Sequence, residues 1–77
     1  MLIEVFGSGC AKCETLTQNA KKAVELSGGD HAVVKINDFA AIAARGILGT
    51  PALAIDGKLR FQGKVASADE ILSMLKA

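Results

Sequence analysis

Apolar and polar residues alternate along this chain in rhythms that change at glycines. Leu2, Ile3, Val5 and Phe6 make a short apolar run stopped by Gly7, the pattern of a central strand buried on both faces. From residue 11 to about 26 the rhythm becomes helical: Cys13, Leu16, Ala20 and Ala23 form one stripe with Val24 beside it, and Glu14, Thr15, Gln18, Lys21, Lys22 and Glu25 cover the other side. Ser8 or Gly9 is positioned to cap this helix, and the segment 27–30, Ser-Gly-Gly-Asp, ends it. Residues 31–36 read as a second strand; a helix lies between the two, so a right-handed parallel crossover is expected.

A second helix is predicted from a cap at Asn37 or Asp38 to about Arg45, with Phe39, Ile42 and Ala43 inward and Gly46 as its stop. Residues 52–55 and 58–61 flank Asp56-Gly57, a strong two-residue hairpin signal, and would place Leu53, Ile55, Leu59 and Phe61 on one face. Ser67-Ala68-Asp69-Glu70 is a capping box for a last helix carrying Ile71, Leu72, Met74 and Leu75. The order is strand, helix, strand, helix, hairpin, helix, without repeat or low-complexity segment.

Size and charge narrow the function classes. Seventy-seven residues with 51% hydrophobic and 22% charged side chains suit one soluble domain over residues 1–77, near the lower limit for folding on a single core. A formal net charge of +1 gives no reason to expect nucleic acid or an acidic membrane as a partner. The apolar N-terminus carries Glu4 and has no basic leader, so a cytoplasmic protein is expected.

Both cysteines, Cys10 and Cys13, stand in the stretch 7–13 between the first strand and the first helix. Thiols three positions apart at a helix start can lie on one side of the first turn and join with little backbone change. The helix dipole and Lys12 favour a thiolate at Cys10, and Cys13, continuing the apolar stripe, should be the more buried sulfur. Attacking and resolving roles follow. Bridging so short a loop stabilises a fold little, so chemistry is the better explanation of the pair. Two charges stay open at this point. Glu4 is either a carboxylate reaching water at a strand end or a buried acid beneath the cysteines, and Lys35 either extends into solvent or pairs with Glu4. His31, far in sequence from the thiols, receives no role.

The element order, with Cys-x-x-Cys after the first strand and Thr50-Pro51 before the hairpin, resembles the core of thioredoxins and glutaredoxins. More narrowly, residues 3–13 with the segments 49–53 and 55–57 resemble the small thioredoxin-like redox-active disulfide proteins. The resemblance implies a minimal thioredoxin fold, α/β in the order β-α-β-α-β-β-α, with a four-stranded mixed sheet and helices on both faces. It implies that Cys10 and Cys13 are a redox pair needing no further cofactor. It also implies that Pro51, which residue type alone would make trans, is cis and lies against the disulfide. Glu4 would exchange a proton with Cys13 while Lys35 tunes its acidity, and Thr50, Pro51, Gly9 and Gly63 would contact the client. Client protein disulfides and a thioredoxin-reductase-like recycling enzyme would be the partners.

The chain departs from that pattern in ways that matter. Ala11 and Lys12 replace the Gly-Pro of thioredoxins, which leaves the potential open. The absence of Trp and Tyr removes the usual aromatic client platform. Gly63 stands before Lys64 without the Gly-Gly and acidic signature by which glutaredoxins hold glutathione, which argues against glutathione. A competing reading is a copper- or zinc-binding module, since heavy-metal-associated domains also place Gly-x-x-Cys-x-x-Cys after a first strand. Against it stand Pro51, the lack of a methionine before Cys10 and the element order. A third is a scaffold that keeps the motif without turnover.

Overall fold

The computed structural model describes residues 1–7 and 11–76. In chain order these form β1 (Leu2–Phe6), α1 (Ala11–Ser27), β2 (Ala32–Ile36), α2 (Phe39–Ala44), β3 (Ala52–Ile55), β4 (Lys58–Gln62) and α3 (Ala68–Lys76). The sheet runs β2-β1-β3-β4, with β1 parallel to β2 and antiparallel to β3, and β3 antiparallel to β4. This is a minimal thioredoxin fold. No helix among the described residues is long and apolar enough to cross a membrane.

Side-chain alternation along the two inner strands divides the core between two faces. Ile3 and Val5 of β1 and Leu53 and Ile55 of β3 point to one side, where Leu16, Ala20 and Ala23 of α1 and Ile71 and Leu75 of α3 cover them. Phe6, Ala52 and Ala54 point to the other, under Ile42 of α2 and Ile47. All four residues of β3 are buried, as expected of a strand with neighbours on both edges and helices on both faces.

The local signals act as their chemistry dictates. Asp56 and Gly57 adopt φ of 52° and 83°, the left-handed pair that a two-residue hairpin needs. Asp56 also ties the hairpin to β1: its N–H donates to Leu2 O at 2.8 Å and its Oδ1 accepts from Leu2 N at 2.7 Å. Ser67 and Glu70 form the reciprocal box at the start of α3. Asp38 caps α2 by accepting from Ala40 N, and Gly46 follows it at φ 73°.

Two packing expectations are overturned. Phe39 is 75% exposed and Ala43 is also exposed, so α2 turns only Ile42 fully inward; a six-residue helix laid on the sheet offers little more than one turn of contact. Leu59 does not share a face with Leu53 and Phe61. A β-bulge shifts the register between Leu53 and Ala54, so that Phe61 opposes Leu53 while Leu59 opposes Ala54 on the α2 side.

Candidate active site

Gly7 continues β1 by donating its N–H to Ile36 O of β2 at 3.0 Å. A Cβ placed on Gly7 would overlap Cys13 Sγ and stand 2.8 Å from Cys13 Cβ. The sulfur therefore rests on the bare backbone at the end of β1, and Cys13 is only 2% exposed. One turn further along α1, the hydroxyl of buried Thr17 donates to Cys13 O at 2.9 Å, so the apolar stripe carries this polar group into the core with its hydrogen bond made. Cys10 and Gly9, expected to be the attacking thiol and a client contact, lie outside the described residues, as does the cap position at Ser8.

The antiparallel register pairs Phe6 with Ala52, so Pro51, one residue before Ala52, comes opposite Gly7, the residue under the Cys13 sulfur. The Thr50–Pro51 peptide bond is cis. Pro51 is buried and Thr50 is exposed. Gly63 N donates to Pro51 O at 2.9 Å, and Gln62 Oε1 accepts from Leu48 N at 2.8 Å and Gly49 N at 3.1 Å. Among the described residues, the N–H and C=O of Thr50 have no hydrogen-bond partner. A residue with both backbone groups unclaimed can pair with a strand of another chain.

Of the two alternatives left open for Glu4 and Lys35, their pairing with each other is not formed. Parallel pairing sets Lys35 opposite Val5 and Glu4 opposite Val34, so Lys35 and Glu4 point to opposite faces of the sheet. Lys35 Nζ instead lies 2.8 Å from Glu14 Oε2 on α1. Its hydrogen bond, and then its charge, hold the exposed Glu14 carboxyl below the ordinary 4.5. Glu4, with its side chain 13% exposed, takes both guanidinium arms of Arg45 at 3.1 and 3.2 Å, and Arg45 lies 5.1 Å from the centroid of the Phe6 ring. Arg45, Glu14 and Gln62 are site neighbours that sequence reading passed over. The pattern marks Arg45 only as a helix end and leaves Gln62, one residue past the predicted strand 58–61, without a reading; their partners follow from how the strands are set beside one another.

Among the described residues no group of three or more His, Cys, Asp and Glu side chains could hold a metal ion. The family model described as thioredoxin domain matches residues 1–76. A protein named thioredoxin from Methanothermobacter thermautotrophicus is 41% identical over 75 residues, covering 97% of each chain. Another of that name from Methanocaldococcus jannaschii is 42% identical over 77 residues, covering all of this chain and 88% of its own length. With that sheet order, the helix-borne cysteine on Gly7 and the proline opposite it, the chain belongs to the thioredoxin-domain family.

Proposed function

We propose that this protein is a dithiol–disulfide oxidoreductase acting on client protein disulfides. The Cys10 thiolate attacks one sulfur of the client disulfide, forming a mixed disulfide and releasing the other client sulfur as a thiolate. Cys13 then attacks the Cys10 sulfur, freeing the second client thiolate and leaving Cys10 and Cys13 oxidised to a disulfide. A reductase of the thioredoxin-reductase type returns two electrons to the pair. The observation that carries this reading is the burial of the Cys13 sulfur on Gly7, with Pro51 opposite and the Thr50 backbone open to a client strand.

In this reading Thr50 pairs with the client backbone, Pro51 and Gly63 shape the groove beside it, and Gly9 adjoins the attacking thiol. Glu4, held by both guanidinium arms of Arg45 on the α2 face of the sheet, stands on the side away from α1 and does not take the Cys13 proton in this reading. Lys35, committed to Glu14, has no part in that transfer. The cytoplasm is the proposed setting.

The test is trapping. Cys13→Ser should accumulate mixed disulfides between Cys10 and client proteins, detected as reductant-sensitive adducts, and Cys10→Ser should not. Equal trapping by both variants would refute the division of roles. Adduct-free protein that instead binds copper(I) with thiolate charge-transfer absorption would favour the metal module.

A further inference from the structure

The segment 48–50 lies at the surface ahead of the buried Pro51, and its apolar side chain does not anchor it: Leu48 is 95% exposed. Its shape must be set by something other than burial. Two consecutive residues at the end of β4 supply that hold. Gln62, opposite Ala52 in the sheet, turns a single side-chain oxygen toward two successive backbone N–H groups, Leu48 at 2.8 Å and Gly49 at 3.1 Å. Gly63 then takes Pro51 O through its own N–H at 2.9 Å, and Gly49 packs beside it, where a Cβ would make ordinary van der Waals contact at 3.6 Å from Gly63 Cα. The backbone is gripped on both sides of Thr50 and Thr50 itself is left out.

We propose that Gln62 is a positioning residue for client binding: by fixing the Leu48 and Gly49 amides it holds Thr50 ready to pair with an extended client segment flanking a disulfide cysteine. The inference rests on Thr50 being the client's docking point. An exposed loop that must be ordered at the moment of binding loses affinity to that ordering, and a loop already held does not. Two hydrogen bonds to one oxygen also occupy the neighbouring amides, so that of the Leu48, Gly49 and Thr50 N–H groups that of Thr50 is left for a client carbonyl.

The test uses the full-length reduced protein with two disulfides of different size, a disulfide-linked peptide dimer and bis(2-hydroxyethyl) disulfide, which is too small to pair with a backbone. Gln62→Met removes the acceptor with little change in shape, Gln62→Glu keeps an oxygen in place, and Gln62→Ser is a second variant too short to reach the loop. With Gln62→Met or Gln62→Ser the half-saturating peptide concentration should rise about fivefold. The plateau rate and the rate with the small disulfide should stay unchanged, and Gln62→Glu should restore peptide binding. Amide exchange at Leu48 and Gly49 should speed up in the same two variants. Unaltered peptide saturation, unaltered exchange at these amides, or equal losses on both disulfides would overturn the role of Gln62. A wild-type protein that reduces neither disulfide would overturn the active-site reading itself.

Discussion

A methyl group at Gly7 would occupy the space of the Cys13 sulfur, so one hydrogen atom at the end of β1 decides whether that sulfur can sit where it does. Glu4 is governed by parity in the same strand. Three residues from Gly7 but facing the other side of the sheet, it finds Arg45, and the two-armed contact with a half-exposed guanidinium satisfies a carboxylate that water barely reaches. Removing that partner by Arg45→Met should destabilise the fold by roughly 1–3 kcal/mol, read from denaturant unfolding. Glu4→Gln keeps the shape and removes the charge that Arg45 holds, and release of a client from the mixed disulfide should keep its rate near neutral pH. A release slowed about tenfold would make Glu4 the proton acceptor after all.

At the scale of elements, α3 shows how a short helix is started. Ser67 Oγ accepts from Glu70 N, Glu70 reaches back to Ser67 N, and Lys64 closes on the same carboxylate at 3.1 Å. The bond from Lys64, followed by that from Ser67 N, holds the Glu70 carboxyl below its ordinary 4.5. A carboxyl lowered in the folded state stabilises fully above the unfolded value and loses that contribution as pH falls through the folded one. Acid titration of stability should therefore show a loss beginning below about pH 4.5 that is shallower in Glu70→Gln, and Ser67→Ala should lower stability by about 1 kcal/mol at neutral pH. This box, the Asp56-Gly57 turn and the Gly46 stop were legible because each is written within four consecutive residues. The bulge at β4, the outward Phe39 and the partners of Lys35 were not. The bulge and the partners of Lys35 depend on which residue of another strand stands opposite, since a shift of one place moves a side chain to the other face, and Phe39 depends on how little of a six-residue helix meets the sheet.

Across the whole molecule, the cysteine pair and the element order could be read from the chain, whereas the support around Thr50 could not. Gln62 meets Leu48 and Gly49 only because β4 folds back along β3 and ends beside the loop that precedes it. The buried strand β3 has a further consequence, in time. It lies between β1 and β4 and contributes to the core on both sides of the sheet, yet it begins only at residue 52, after β1, α1, β2 and α2 have been made. A nascent chain ending near residue 48 has β1 with one edge bare and neither layer closed, so it should show no cooperative thermal transition, and one carried through residue 76 should. A sharp melting transition in the shorter piece would mean that β1, α1 and β2 can stand alone. Otherwise the Cys13 sulfur has no closed core around it until β3 has been made, and until then that thiol is open to whatever oxidant or thiol the cell presents.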